Sequence, residues 1–169
     1  MCATKTALLL APALTTTGTL LYGWDQELFL RPLTLRNTYR DANALLPAYW
    51  SRLMTVGWPR LLSCLVGTLA SCGAALTVAR PLLRRQGSAA WYGAAAALAA
   101  AHFAWVPWVA GPIKAMVDDD GVAIEDEEGL TNVDQQVVWL RVNMARTLTT
   151  DLLSWVCAVV AVTKTLAVE

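Results

Sequence analysis

Apolar residues along this chain come in long unbroken runs, and that pattern sets the first expectation. Ala7–Trp24, Leu61–Ala79 and Ser88–Ile113 contain no Asp, Glu, Lys or Arg, and His102 is the one histidine among them. Each run approaches or exceeds the roughly 20 residues that a helix needs to cross a hydrocarbon core. A further run, 151–163, is too short to cross alone. The pattern therefore predicts that its helix begins upstream, inside "WLRVNMARTLTTD". The expected fold is all-α: one polytopic membrane domain over 1–169, a four-helix transmembrane bundle with helices at about 6–24, 59–79, 89–113 and 137–164.

Between the first two runs lies a polar stretch, 25–58, which reads as a long, partly structured loop. Its Leu28, Phe29, Leu33, Leu45, Leu46, Tyr49 and Trp50 would rest on the membrane or cap the bundle. A loop of that length is more than a connector. Pro59 suits the first turn of the second helix. The alanine-rich third helix suggests close approach to its neighbours. Trp24, Trp58, Trp91 and Trp139 stand near expected helix ends, where tryptophan anchors at membrane interfaces.

Composition supports the membrane reading: 56% of residues are hydrophobic and 15% charged, against about a quarter charged in soluble domains. The net charge is zero and no basic cluster is interleaved with aromatics, so nucleic acid is not an expected partner. The four cysteines, Cys2, Cys64, Cys72 and Cys157, form no C-x-x-C and avoid the polar loops. They read as small buried hydrophobes. "ALLLAPAL" after Lys5 could serve as the core of a signal peptide, but the apolar run continues through "TTTGTLLYGW" and is expected to stay as a spanning helix. Lys5, Arg80, Arg84, Arg85 and Lys164 cluster close to helix ends. Their density places both termini in the cytosol, in the endoplasmic reticulum or another endomembrane.

The last helix carries the most informative pattern. At 100° per residue, Trp139, Asn143, Arg146, Thr147, Thr150, Asp151 and Ser154 fall within an arc of roughly 140°. The opposite side is apolar, so these residues form a stripe rather than a loop. A charge inside a spanning helix costs ~2.5–3.5 kcal/mol on insertion scales and normally faces a partner or a cavity. Arg146 is therefore expected inside the bundle, with snorkelling to the interface and simple pairing with Asp151 as the plainer reading. Thr15, Thr19, Tyr22 and Gln26 form a matching face on the first helix, with Asp25 beside them. Cys64, Thr68 and Ser71 share a side of the second. Each hydroxyl taken alone is better explained by a bond to its own i−4 carbonyl.

His102 sits midway along the third helix, just before Pro107, where a kink is expected. A histidine, Trp105 and Trp108 beside a kink would make a pocket wall, and a neutral imidazole can accept a proton. The plainer alternative is a histidine bonded to a hydroxyl on a neighbouring helix. In the acidic loop 114–136, Asp118, Asp120, Gly121 and Glu127 match four positions of a calcium loop, but Met116 and Ala123 break it. A solvated acidic loop is the better reading. One histidine and no clustered cysteines furnish no metal-ligand set, so no metal is expected.

The layout resembles the anthrone oxygenase-like group of small four-helix membrane proteins. "WLRVNMARTL" is similar to that family's tryptophan–asparagine-or-histidine–arginine signature, carried here by Trp139, Asn143 and Arg146. "GPIKAM" is similar to its Pro-x-Asn-x-x-Leu segment, with Pro112 matching and Lys114 in place of the asparagine. "GWDQELFLRPL" resembles its first helix exiting into proline and leucine. Asn143 also departs from the histidine common in the anthrone enzymes. The resemblance implies O2-dependent, cofactor-free oxidation of a lipophilic polyketide anthrone to a quinone. On that footing His102, Asn143 and Arg146 are the catalytic candidates, with His102 as base and the other two stabilising an oxyanion. Trp105, Trp108, Trp139, Tyr22 and Asp151 are the substrate-binding candidates. Two other classes stay open: a non-oxidative isomerase or cyclase of a polyketide or terpenoid, and a non-catalytic scaffold or accessory subunit. The expected partners are a lipophilic small molecule and the bilayer, with a homo-oligomer left open.

Overall fold

The computed structural model describes residues 3–118 and 131–167, and every regular element among them is helical. Helix α1 spans Ala3–Leu30 and passes through a 3-10 turn, Arg31–Thr34, towards α2 at Tyr39–Val78. A short α3, Arg80–Arg85, ends at Gly87, whose φ of 62° closes the turn. There Ser88 N–H donates to the Leu83 carbonyl at 2.9 Å, a reversal glycine makes at least cost. The chain returns through α4 (Ala89–Ala101), a 3-10 turn (His102–Trp105) and α5 (Val106–Asp118). The last stretch is α6 (Asn132–Arg146), a π-turn (Thr147–Asp151) and α7 (Leu152–Leu166). The proposed calcium positions beyond Asp118 fall in 119–130, outside the described residues. Asp118 itself pairs with Lys114.

The expected loop over 25–58 is mostly helix. α1 runs on to Leu30, and α2 begins at Tyr39 rather than Pro59. Prolines 47 and 59 lie inside α2. Pro47 has no N–H to offer the carbonyl of Asn43, and Asn132 Nδ2 donates to that carbonyl instead, at 3.0 Å. Asn43 Oδ1 in turn accepts the Val133 N–H at 3.2 Å, so the break in α2 becomes the dock for the start of α6. Thr131 and Asp134 close a reciprocal capping box at that same start. The apolar stripe Ala42, Leu46 and Trp50 is buried and meets Leu30, Met116, Val133, Trp139 and Leu140.

Three stretches among the described residues are long and apolar enough to cross a membrane: Tyr39–Val78, Ala89–Asp118 and Asn132–Leu166. α1, whose middle carries Thr15, Thr16, Thr17 and Thr19, is outside that set. α1 packs on α2 and α7, α4 on α7 and α2, and α5 on α6 and α2. One end is cored by Leu9, Cys72, Ala75, Leu83, Tyr92, Ala158 and Ala161, where only alanine-sized side chains let the helices approach. The described cysteines, Cys64, Cys72 and Cys157, are free thiols. The distribution of polarity is inverted from that of a water-soluble domain. Thr16, Thr19, Thr68, His102, Asn143, Arg146 and Asp151 are buried, while Leu14, Leu21, Phe29, Val66, Val78 and Leu148 are exposed. Trp24, Trp58 and Trp91 are exposed as anchors would be, but Trp139 is interior, only 2% exposed.

Candidate active site

The polar stripe of the last helix is buried along its whole length: Trp139, Asn143, Arg146, Thr147, Thr150, Asp151 and Ser154 all lie inside. Arg146 does not snorkel; it is 4% exposed. In regular α geometry a residue five further on stands about 140° around the axis. The π-turn changes this. Leu152 N–H donates to the Thr147 carbonyl, five residues back, and the widened turn swings Asp151 towards Arg146. Arg146 Nε donates to Asp151 Oδ2 at 3.3 Å, and its Nη2 donates to Asn143 Oδ1 at 2.7 Å. Asn143 is fixed from its other end, because its Nδ2 donates to the Gly23 carbonyl at 3.1 Å. Such π insertions are frequent at functional sites.

His102 joins this network from the third stretch. Its Nδ1 is 2.7 Å from Asp151 Oδ1, and both residues are buried. The partner is thus a carboxylate rather than a hydroxyl, and Asp151 stands between His102 and Arg146. The 3-10 turn at His102–Trp105 accompanies Pro107, which has no N–H for the Phe103 carbonyl; the Val106 N–H takes that carbonyl instead. Most of the threonine and serine hydroxyls do bond their own helix: Thr15 to Ala11, Thr16 to Pro12 and Thr68 to Cys64. Thr68 to Thr15 and Ser154 to the Ala95 carbonyl are cross-helix exceptions.

Arg146 opens into an apolar cavity of about 190 Å³. Tyr22 and Gln26 of α1, Trp50, Leu53, Met54, Trp58 and Leu61 of α2, Val106, Val109, Ala110 and Ile113 of α5, and Trp139 of α6 complete its walls. Two residues of this wall also carry a sealed polar atom with no hydrogen-bond partner among the described residues, the Trp139 indole N–H and Gln26 Oε1. Trp139 packs edge-on to Trp50, ring centroids 4.7 Å apart, and Trp50 Nε1 is held by Gln136 Oε1 at 2.7 Å. The indole that faces the cavity is thereby fixed by one that is itself tied down.

Of the catalytic and substrate-binding candidates, Tyr22, Trp139 and Arg146 line this cavity, joined by Gln26 from the polar face of the first helix. Asn143, Asp151 and His102 stand behind Arg146 and do not line it. Asp151 borders only a separate pocket of about 10 Å³ with Thr16, Thr19, Thr68 and Ser154, no larger than a single water. Trp105 and Trp108 pack on each other at 6.1 Å and form no part of the wall; Trp108 is 62% exposed. The 3-10 turn rotates them outward, and Val106, Val109, Ala110 and Ile113 take the place foreseen for them. The α2 wall from Trp50 to Trp58 falls within 25–58, which reads as loop from the sequence, although Leu46, Trp50 and Leu53 carry a helical repeat. Gly23 and Gly57 went unnoticed as well. A Cβ on Gly23 would lie 2.6 Å from Thr147 Oγ1, and one on Gly57 would collide with the Tyr22 hydroxyl.

No family model matches the chain, so the anthrone oxygenase-like membership suggested by the helix signatures gains no support of that kind. No solved structure matches either. Curated relatives do. The chain is 32% identical over 161 residues to the epoxidase pydX of Acremonium sp, covering 93% of each protein. It is 28% identical over 170 residues to the epoxidase gkaX of Penicillium citrinum, covering 90% of each. It is 26% identical over 165 residues to the probable epoxidase scpX of Mollisia scopiformis, covering 93% of this chain and 94% of that one. Matched from end to end at this identity, the chain belongs to the family of proteins named epoxidases that includes pydX.

Proposed function

We propose that this protein is a membrane-embedded oxidative enzyme of secondary metabolism that adds oxygen from O2 to a lipophilic, oxygenated substrate. The observation that carries the reading is the Arg146 guanidinium, held by Asn143 and Asp151 and facing an apolar cavity. A cation preorganised at a water-poor wall stabilises negative charge developing on a bound oxygen far more than it would in water. The relatives' names support epoxidation as the reaction.

Electron balance narrows the substrate. A hydroquinone-like ring that becomes an epoxyquinone supplies its own two electrons: two hydroxyls become carbonyls, one atom of O2 enters the epoxide and the other leaves as water. The narrower anthrone version balances in the same way, the methylene becoming a carbonyl with water as by-product. Neither needs an outside reductant or a cofactor. In both, ionising the substrate hydroxyl or acidic C–H makes it electron-rich enough for O2, and Arg146 lowers the cost of that ionisation. Asn143, Asp151 and His102 act through Arg146, the first two by orienting it and His102 by fixing Asp151. His102 is thus a positioning residue in this reading rather than the base that touches substrate. The bundle completes its membrane crossing with α1 as a fourth span, both termini cytosolic in an endomembrane.

The test uses purified protein in nanodiscs with an alkylhydroquinone, an O2 electrode and mass analysis after 18O2. One O2 consumed and one 18O retained per product is expected, with turnover falling about 100-fold or more in Arg146→Ala at unchanged helix content. Turnover of any substrate with no O2 uptake would replace this reading by the isomerase or cyclase.

A further inference from the structure

We infer that the substrate binds lengthwise, with a ring-sized hydroxylated end held inside against Arg146 and an apolar body leaving between α2 and α5. This rests on the reading of the cavity as the substrate site. It adds the substrate's shape, its orientation and its route.

The first observation is a second, more open groove of about 410 Å³, lined by Ser51, Met54, Ala110, Ile113, Lys114, Val117 and Asp118. Met54, Ala110 and Ile113 line both spaces. They form a neck between the inner chamber and the groove. The groove follows one seam: Ser51 and Met54 stand three apart on α2, while Ala110, Ile113, Lys114 and Val117 form a stripe on α5. Both helices belong to stretches able to cross a membrane. The neck itself is apolar, and the outer end is not, since Lys114 and Asp118 are exposed and paired there. An apolar body therefore suits the neck, and a polar group is tolerated at the far end.

The second observation is chemical. Among the described residues, Arg146 is the one charged side chain on a chamber wall that is otherwise largely apolar. A guanidinium only donates, so it takes an oxygen acceptor, best a hydroxyl that can ionise. Size sets the third limit. An apolar cavity of about 150 Å³ accommodates one benzene ring. The 190 Å³ chamber therefore takes one substituted ring, and any further length must lie in the neck and groove. The substrate class is an elongated amphiphile with a phenolic or enolic ring at its inner end.

Binding can be read without any reaction. The probe is 4-octylphenol carrying a diazirine at the chain terminus, photolysed with the full-length protein in nanodiscs, with labelled residues mapped by mass spectrometry. Labels at Ser51, Met54, Ile113 or Val117 are expected. Competition by unlabelled 4-octylphenol should be at least tenfold more effective than by its methyl ether, which cannot ionise against Arg146. Arg146→Met should erase that preference. Ala110→Trp, at an exposed position, should block labelling while phenol alone still quenches tryptophan fluorescence. Labels spread over Leu14, Leu21 and Val66 without competition would overturn the proposal, and so would seam labelling that the ether competes equally well; both tests use the unaltered protein. If the labelling succeeds while O2 uptake is absent, lengthwise binding stands and the oxidative reading fails.

Discussion

Asp151 is the residue on which the others depend, because its two oxygens serve Arg146, His102 and, more weakly, the Thr150 hydroxyl at 3.5 Å. Asp151→Asn leaves a buried guanidinium without its counter-charge. Loss of one partner from a buried pair typically costs about 3–5 kcal/mol, so the variant should unfold at clearly lower denaturant in detergent. Gly23 gives a finer test. Its missing Cβ leaves room for Thr147, and Arg146 Nη2 lies 3.4 Å from the same point. Gly23→Ala should cost about 1–3 kcal/mol from overpacking and displace the guanidinium. The Thr147 hydroxyl makes no hydrogen bond, so Thr147→Ala should be nearly neutral alone and should restore Gly23→Ala when combined with it. Additive losses in that double variant, measured by melting, would count against the contact. The stripe containing these residues was legible in the sequence because burying a charge in a helix demands a shared face. Their distances were not legible, because the π-turn that joins residues 146 and 151 has no sequence mark.

At the scale of elements, the decisive feature is the proline-marked break in α2. Asn132 Nδ2 supplies the donor that Pro47 cannot, tying the start of α6 to α2 and thereby setting the wall on which Trp139 stands. Asn132→Ala should cost about 1–3 kcal/mol by stranding a buried acceptor. Pro47→Ala restores an amide near that acceptor, so the two substitutions together should cost less than their sum in a double-mutant cycle. A strictly additive cycle would show that the two groups are uncoupled. From the sequence Pro47 reads as a loop residue, since proline removes a helix bond, and Pro59 as the start of a helix; at Pro47 a tertiary donor restores what local rules forbid. At the other break, around His102–Trp105, the expected kink is present but takes a 3-10 form, which carries Trp105 and Trp108 away from the cavity.

For the whole molecule, the inversion of polarity is the governing property. Leucine, phenylalanine and valine cover the outside while the charged network is enclosed. The natural solvent for such a surface is hydrocarbon, and exposed apolar area on this scale is unusual in a soluble monomer. The protein expressed in cells should therefore remain in the membrane pellet after alkaline carbonate extraction. Release into the supernatant would contradict the embedded reading. An apolar chamber that continues along a seam between α2 and α5 also fits a substrate drawn from the membrane rather than from water.

The sequence by itself determined the helical class, the membrane-length runs and the polar stripe. Each is dictated by transfer energies that act along a single helix: apolar length, and the cost of facing a charge outward. It also marked Tyr22, Gln26, Trp139 and Arg146, four of the residues that line the cavity. Only the tertiary structure decided that 25–58 is largely helix, that His102 stands behind Asp151, and that α2 and α5 enclose the chamber. Those outcomes rest on partners supplied by distant segments, such as Asn132 at Pro47 and Asp151 at His102. No local pattern encodes a hydrogen bond between residues that meet only after the helices have packed.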